Sequence, residues 1–272
     1  MNVPTITFIG GGNMASAIVG GLLRQGHPAA ALQIVEPFDE QRARLAPQFP
    51  GVAVLAHSSG LPKTSDLAVW AVKPQTFKDA ALASQPFLVG ALHLSVAAGI
   101  TSDSIAAWLN TQRIVRAMPN TPALVGLGMT GLFARKGASE ADRTLVETVV
   151  KTTGELVWVD AEAQLDAVTA ISGSGPAYVF YFLEAMRDAG ARMGLPPEVA
   201  YQLAVGTFVG AATLAQRSED PPQTLRERVT SKGGTTYAAL TSMETAGVKA
   251  KFEEALFAAQ KRAAELGREF GD

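Results

Sequence analysis

The sequence contains no cysteine, which excludes disulfide bonds, a thiolate nucleophile and cysteine-ligated zinc. Histidine is almost as scarce, because only His27, His57 and His93 occur, all in the first half and far apart in sequence. The chain therefore lacks the residues that most often build a metal centre or a thiol-based active site, and we expect no bound metal.

The chain also lacks an excess of charge and any long apolar run. Charged residues make up 18% of the sequence, hydrophobic residues 47%, and the net charge is −2. Such a balance gives no electrostatic reason to bind nucleic acid or an anionic membrane. No stretch is apolar for long enough to cross a bilayer. We therefore expect a soluble cytoplasmic protein without nucleic-acid or membrane partners.

The first half of the chain alternates short apolar runs with helical patterns. Its 272 residues exceed the usual size of one compact core, so two domains are expected. The alternation predicts a parallel sheet covered by helices on both faces. Predicted strands cover residues 5–10, 32–36, 67–72, 91–97 and 113–118, with candidates at 130–134 and 155–159. Predicted helices cover residues 13–25, 38–48 and 139–152, and two more begin near residues 74 and 102.

After Asp160 the pattern becomes helical, and no strand pattern appears. The helical stretches, broken by Gly, Pro and Ser, cover residues 164–194, 196–217, 221–229 and 235–270. We place the domain boundary at residue 162. Residues 200–215 are apolar on nearly every side, and such a helix must be buried all round. It is either the central core helix of the second domain or, the interpretation we favour, packed against a second subunit.

Residues 10–15, with the sequence GGGNMA, form a G-x-G-x-x-A pattern between a predicted strand and a predicted helix. Gly10 permits a tight turn and Gly12 lets the backbone approach a pyrophosphate, while Ala15 allows close helix–strand packing. The helix start at Asn13 and Met14 faces the negative charge. The pattern predicts an N-terminal Rossmann domain, residues 1–162, that binds NADH or NADPH.

Glu36 ends the second predicted strand, 21 residues after Ala15. An acidic side chain at this place hydrogen-bonds the adenosine ribose hydroxyls of NAD and repels the 2′-phosphate of NADP. Arg42 and Arg44 follow on the next helix, where they either offset that repulsion or are solvated surface charges. The alternative for Glu36 is an ordinary strand-end residue before Pro37.

Three further predicted strands end in small residues and prolines. The segments are AVKP at residues 71–74, AAG at 97–99 and MPNTP at 118–122. In open α/β sheets the ligand lies beyond the carboxyl ends of the strands, so these segments suggest a floor for the nicotinamide. Lys73 suits the cofactor or the substrate there, although a surface lysine before a helix-starting proline is the simpler alternative.

A second glycine-rich stretch, VTSKGGTT at residues 229–236, precedes a helix that continues from Tyr237. Backbone N–H groups at a helix start, flanked by hydroxyl side chains, form a receptor for a small anion such as a carboxylate. The alternative is an N-capping turn, for which Ser and Thr are preferred. Two glycines and four hydroxyl residues exceed what a cap requires, so we favour the carboxylate site.

The second half contains no histidine, and no lysine lies between Lys151 and Lys232. A dehydrogenase that acts on an alcohol usually needs His or Lys as a general acid or base. A cyclic imine depends less on a general acid or base, because its nitrogen can take a proton from water and the iminium accepts hydride at carbon. The composition therefore favours C=N reduction over C=O reduction.

Six segments together resemble pyrroline-5-carboxylate reductases along essentially the whole chain. In the family's order they are FIGGGNMA at 8–15, AVKPQ at 71–75, SVAAGI at 95–100, RAMPNTP at 116–122, ISGSGPAY at 171–178 and VTSKGGTT at 229–236. The resemblance implies reduction of L-1-pyrroline-5-carboxylate to L-proline with NADPH or NADH, the last step of proline biosynthesis. It also implies an all-helical C-terminal domain, residues 163–272, that interlocks with a second subunit in a homodimer or higher oligomer.

The resemblance also implies roles for single residues. The implied cofactor-binding residues are Gly10, Gly12, Asn13, Met14, Ala71, Val72, Lys73 and Pro74, to which the strand ends add Glu36, Ala98 and Asn120. The implied substrate-binding residues are Val229, Ser231, Gly234, Thr235 and Thr236, with Thr236 nearest the ring nitrogen as the catalytic residue. Many family members carry Ser, Asn or Arg after the second strand, whereas Glu36-Pro37 stands here. This departure favours NADH, against the family's habit.

Three other functions compete with this one. A hydroxyacid dehydrogenase of the 6-phosphogluconate dehydrogenase type shares the two-domain plan. It needs a lysine on the long helix after the boundary, and this chain has none there. A non-catalytic dinucleotide sensor needs no carboxylate loop, so residues 229–236 count against it. Another imine reductase of the Rossmann type remains open at this point.

Overall fold

A computed structural model describes residues 3–270 of the chain. By their packing, these residues divide into two compact units. Unit 1 comprises the described residues up to Ser174 together with those from Ala259 onward, and unit 2 comprises Gly175–Ala258. The predicted boundary at residue 162 rests on the change in sequence pattern and stays a prediction. Residues 1, 2, 271 and 272, which the predicted domain limits include, lie outside the described residues.

Unit 1 contains a sheet of eight strands in the order β3-β2-β1-β4-β5-β6-β7-β8. The strands are β1 Ile6–Ile9, β2 Leu32–Val35, β3 Ala53–Leu55, β4 Leu67–Trp70, β5 Leu92–Ser95, β6 Ile114–Met118, β7 Gly128–Ala134 and β8 Gly154–Trp158. All neighbours are parallel except β6 and β7. The predicted α/β class with a dinucleotide-binding Rossmann domain is confirmed. Only the three-residue strand β3 was absent from the prediction.

Eleven α-helices occur in the described part of the chain. They are α1 Asn13–Arg24, α2 Asp39–Gln48, α3 Pro74–Ser84, α4 Ser102–Leu109, α5 Glu140–Val150, α6 Gln164–Val168, α7 Gly175–Arg192, α8 Pro197–Arg217, α9 Pro222–Arg228, α10 Thr235–Thr245 and α11 Val248–Phe270. A π-helical turn, Thr169–Gly173, interrupts the stretch predicted at 164–194. The stretch predicted at 235–270 breaks at Gly247, whose φ of 66° is left-handed. No described helix is long and apolar enough to span a membrane.

The central strands of the sheet are buried because helices cover both of its faces. Helices α1 and α5 pack on one face, where Val69 points, and α3 and α4 pack on the other, where Trp70 points. β1, β2, β4 and β5 are buried along their whole length, which explains why they read as continuous apolar runs. The order of strands reverses between β1 and β4, so a crevice opens at their carboxyl ends.

Unit 2 buries little of its own apolar surface. In α8 only Ala200 and Ala204 are buried, so the interpretation of residues 200–215 as a central core helix does not hold for the single chain. Gly190 of α7 packs on Ala200 so closely that a Cβ at Gly190 would lie 2.6 Å from the Ala200 Cβ. Large apolar side chains of unit 2 stay exposed, including Phe180, Tyr181, Leu203, Val209, Leu214 and Phe257.

His93 of β5 is buried in the core of unit 1 with 4% of its surface exposed. Its Nδ1 accepts a hydrogen bond of 3.0 Å from Trp70 Nε1, so the ring is held in a neutral form. Burial, and to a smaller extent the nearby Arg113 guanidinium, lowers the pKa of His93 to about 4. The neutral imidazole therefore belongs to the folded state.

Because the pKa of His93 is lower in the folded than in the unfolded chain, the unfolded chain binds an extra proton below pH 6.5. The free energy of unfolding should fall as the pH drops from 6.5 to 4, and His93 should account for roughly 3 kcal/mol of that loss. Urea unfolding of the wild type and of His93→Gln, from pH 7.5 to 4.5, measures the difference. The exposed His57, as His57→Gln, is the matched control. An equal pH dependence in wild type and His93→Gln would mean that His93 does not carry this effect.

Candidate active site

Gly10 follows β1 at the point where the crevice opens. Its φ is 94°, and a Cβ there would lie 2.7 Å from the Ala71 carbonyl oxygen. The Gly10 N–H donates to Val35 O over 2.8 Å, and the Ala71 N–H donates to Ile9 O over 2.8 Å. The ends of β1, β2 and β4 are therefore tied together, and only glycine fits at this position.

The start of α1 is open to an anion. Gly12 is the N-cap, no side chain caps the helix, and a Cβ at Gly12 would meet nothing within 4 Å. The first N–H groups of a helix have no partner within it, so the amides at Asn13 and Met14 are available to a ligand. The positive end of the helix dipole adds to their attraction for negative charge. This arrangement fits the pyrophosphate of a dinucleotide.

Glu36 follows β2 and is buried, with 6% of its surface exposed. Its Oε2 accepts a hydrogen bond of 2.9 Å from the Gly11 N–H, and its Oε1 accepts one of 3.1 Å from the Phe38 N–H. A carboxylate oxygen can accept a second hydrogen bond, so the chemistry of the group allows a ribose hydroxyl as well. The predicted ribose contact stays a prediction. The two bonds to backbone N–H groups were not predicted.

Both arginines of α2 are paired with acidic residues of their own helix. Arg42 forms an ion pair with Asp39 and donates from Nη1 to the Glu36 carbonyl over 2.8 Å. Arg44 forms an ion pair of 2.5 Å with Glu40. Each positive charge is thereby already offset, so neither arginine supplies an unpaired cation for a 2′-phosphate.

The segment after β4 forms one wall of the crevice. Lys73 is the N-cap of α3 and Pro74 is its first residue, a position that suits the fixed φ of proline. Val72 lies beside the glycine turn, since a Cβ at Gly10 would be 2.9 Å from Val72 Cγ1. The side chain of Lys73 is exposed. Its predicted contact with a ligand stays a prediction.

The segments after β5 and β6 contribute Ala98 and Asn120. Ala98 is half-buried beside Gly99, whose φ is 77°. The Asn120 side chain donates from Nδ2 to Ser172 O over 3.1 Å and accepts at Oδ1 from the Met129 N–H over 2.9 Å. Asn120 therefore joins the start of β7 to the π-helical turn. Its predicted contact with the cofactor stays a prediction, and this bracing role was not found from the sequence.

In unit 2, residues 229–236 form the loop between α9 and α10. Gly233 has a φ of 76°, which a side chain rarely adopts, and Gly234 is the N-cap of α10. No side chain caps α10, so the alternative of a capping turn of Ser and Thr finds no support. Thr236 is the second residue of the helix. Among the described residues, its hydroxyl has no hydrogen-bond partner.

Thr230 donates its hydroxyl to Arg226 O over 2.7 Å, whereas other loop side chains are exposed. Val229, Ser231 and Thr235 are exposed, and the Gly234 N–H donates to Ser231 O over 3.0 Å. The unpaired amides at the start of α10 and the hydroxyls beside them could bind a carboxylate. The structure therefore brings the predicted cofactor residues to one edge of the unit 1 sheet and the predicted substrate residues to one loop of unit 2.

Comparison with known proteins adds to this geometry. Residues 162–266 match the family model described as pyrroline-5-carboxylate reductase dimerisation, and residues 5–99 match one described as NADP oxidoreductase, coenzyme F420-dependent. The chain is 45% identical over 273 residues to pyrroline-5-carboxylate reductase of Pseudomonas aeruginosa, with 100% of both chains covered. A solved pyrroline-5-carboxylate reductase of Coxiella burnetii has 37% identity and a TM-score of 0.90, covering 97% of this chain and 99% of that one.

A solved pyrroline carboxylate reductase of Plasmodium falciparum, with NADP bound, has 28% identity and a TM-score of 0.87. The match covers 98% of this chain and 99% of that chain. The fold of that NADP-bound protein is therefore present here over nearly the whole chain.

The surroundings of Glu36 predict how cofactor preference responds to substitution. Glu36→Ser should lower the affinity for NADH about tenfold or more, because a hydrogen bond to a charged group contributes about 1.5–3 kcal/mol. The same change should improve the use of NADPH, because the repelling carboxylate is gone. The ratio of kcat/KM for the two cofactors measures the switch. An unchanged ratio would mean that Glu36 does not contact the ribose.

Proposed function

The chain belongs to the pyrroline-5-carboxylate reductase family, and we infer that it reduces L-1-pyrroline-5-carboxylate to L-proline with NADH or NADPH. The reaction is the last step of proline biosynthesis, and it adds a hydride to the carbon and a proton to the nitrogen of the ring C=N. One observation carries this function: a helix start with open amides and hydroxyls in residues 229–236, in a chain that also has a dinucleotide crevice.

On the cofactor side, we propose that the amides of Gly12, Asn13 and Met14 hold the pyrophosphate. A bound NADH or NADPH supplies the hydride. Residues 71–74, with Ala98 and Asn120, would form the floor against which the nicotinamide lies. This proposal is supported by the open start of α1 and by the common edge at which these segments end.

On the substrate side, we propose that the loop 229–236 holds the carboxylate. The amide of Thr235, the side chain of Ser231 and the apolar Val229 would bind and orient it, and Gly234, whose N–H already donates to Ser231 O, would let the backbone come close to it. Because the amides belong to a helix start, the dipole of α10 favours the negative charge without a cationic side chain. A bound substrate has already lost its rotational freedom. Less entropy is therefore lost in reaching the transition state, and the barrier to hydride transfer is lower.

Protonation of the ring nitrogen requires no histidine or lysine of the kind that an alcohol dehydrogenase usually uses. The second half of the chain contains no histidine, so no imidazole is available there as a general acid. The ring nitrogen takes its proton from water, and the resulting iminium accepts hydride at the adjacent carbon. Thr236 would relay this proton from water to the ring nitrogen through its hydroxyl, without being ionised itself, and would then orient the iminium.

The direct test is oxidation of NADH and of NADPH by the purified protein with L-1-pyrroline-5-carboxylate, with L-proline measured as the product. The expected result is cofactor oxidation that matches proline formed, one for one. Turnover of a hydroxyacid or of another imine, with none of pyrroline-5-carboxylate, would instead favour a different reductase of the same fold.

We further propose that the active protein is a homodimer or a higher oligomer whose helical units interdigitate. The match of residues 162–266 to a dimerisation family supports assembly through this part of the chain. The exposed apolar side chains of α8, including Leu203, Val209 and Leu214, support a second copy as the partner, because isolated α-helices of this kind must be covered.

Assembly should therefore be obligate. An interface of this kind typically buries roughly 2,000 Å² or more. Light scattering at low micromolar concentration should detect no monomer in the wild type, whereas Leu203→Glu should dissociate the protein and abolish turnover. Gln216→Glu adds the same charge at an exposed polar position of α8 and is the control. A stable, active wild-type monomer would contradict the proposal.

Loss of the Thr236 hydroxyl should slow the reaction. Thr236→Ala should lower kcat/KM about 10²-fold, within the range for one positioned proton-transfer group. Thr236→Ser should keep most of the activity, because the hydroxyl survives and only a methyl group is lost. Direct titration should show little change in cofactor affinity, because the proposed dinucleotide site lies in unit 1.

Thr245→Ala, at the other end of α10, is the matched control for the Thr236 variants. The Thr245 hydroxyl donates to Thr241 O, so its loss tests the general effect of removing a threonine hydroxyl from this helix. Full kcat/KM in Thr236→Ala together with a lowered melting temperature would make Thr236 a structural residue.

A further inference from the structure

The middle glycine of the GGG turn is held from outside the turn by two side chains. The Gly11 N–H donates to Glu36 Oε2 over 2.9 Å, in a buried bond. The Gly11 carbonyl accepts a hydrogen bond of 2.7 Å from Gln41 Nε2, which comes from the first half of α2. Both peptide groups that flank the Gly11 Cα are therefore fixed in direction.

The same face of α2 also packs against the turn. Leu45 lies one helical turn after Gln41, on the same face of the helix, and it is buried. A Cβ at Gly11 would collide with Leu45 Cδ1 and would lie 3.4 Å from Glu36 Oε2. Gly11 is thus enclosed by its N–H partner, its carbonyl partner and an apolar side chain.

These contacts determine which backbone groups remain for a ligand. The Gly11 N–H is used by Glu36, and the Gly11 carbonyl, which would repel an anion, is turned toward Gln41. The amides at the open start of α1 are therefore the groups left free to bind an anion. Three successive glycines have unusually high conformational freedom when unconstrained, so binding to a loose turn would cost the entropy of ordering it. A turn that is already held avoids that cost.

We propose that Gln41 is a positioning residue that holds the glycine turn in its pyrophosphate-binding shape. It acts on NADH and NADPH alike, because the two cofactors share the same pyrophosphate and differ only at the ribose 2′ position. Glu36 differs from Gln41 in this respect, since its carboxylate is also predicted to face the ribose and to repel a 2′-phosphate. The proposal rests on the proposed use of a nicotinamide dinucleotide, but not on the identity of the substrate.

The test is Gln41→Met, which keeps the length of the side chain and removes the donor. The Kd for NADH and for NADPH, measured by direct titration without substrate, should each rise about threefold to tenfold, the loss expected for one hydrogen bond. The ratio of the two Kd values should stay that of the wild type. With pyrroline-5-carboxylate, the KM for both cofactors should rise by the same factor while kcat at saturating cofactor stays within about twofold, on the same expectation.

Gln48→Met is the matched control, since Gln48 is exposed at the end of the same helix. It should leave both Kd values as in the wild type. An unchanged Kd in Gln41→Met would overturn the proposal. So would a loss confined to one cofactor, because it would place Gln41 at the 2′ position of the ribose, and so would a fall in kcat with KM unchanged. A wild-type protein that binds both dinucleotides but does not reduce pyrroline-5-carboxylate would contradict the proposed function and leave this inference standing.

Discussion

The close approach of Gly10 to the Ala71 carbonyl is the contact on which the shape of the crevice depends. It brings the ends of β1 and β4 together at the point where the strand order reverses. Because no side chain fits between them, the chain can turn there and begin α1 directly above the sheet. The open amides of α1 and the position of the β4 segment beside them both follow from this contact.

The two units obtain their stability by different means. Unit 1 buries both faces of its sheet, and its strands carry apolar side chains on each face, as Val69 and Trp70 illustrate. Unit 2 buries few side chains within one chain, and its α8 keeps only Ala200 and Ala204 covered. Small residues such as Gly190 let its helices pack closely, but the large apolar side chains remain outside. In the proposed oligomer, the partner subunit would cover the apolar side chains that unit 2 leaves exposed.

Sequence periodicity was a good guide to unit 1 because buried parallel strands are nearly continuous apolar runs. The strand β3 escaped prediction because its three residues are only half-buried and give no such run. The π-helical turn Thr169–Gly173 was missed because single-sequence patterns do not distinguish it from an α-helix. The side-chain bonds of Asn120 and Gln41 were missed for another reason, since each joins residues distant in sequence that only the folded chain brings together.

The division of the chain after Ser174 separates two kinds of recognition. The residue proposed to distinguish NADH from NADPH, Glu36, lies in unit 1, directly after β2. The residues proposed to recognise the substrate carboxylate lie in unit 2, in one loop before α10. In the proposed arrangement, a substitution at Glu36 would change the preference for NADH or NADPH without altering the loop that recognises the substrate carboxylate. The choice of electron donor and the choice of substrate would then be set by separate segments of the same chain.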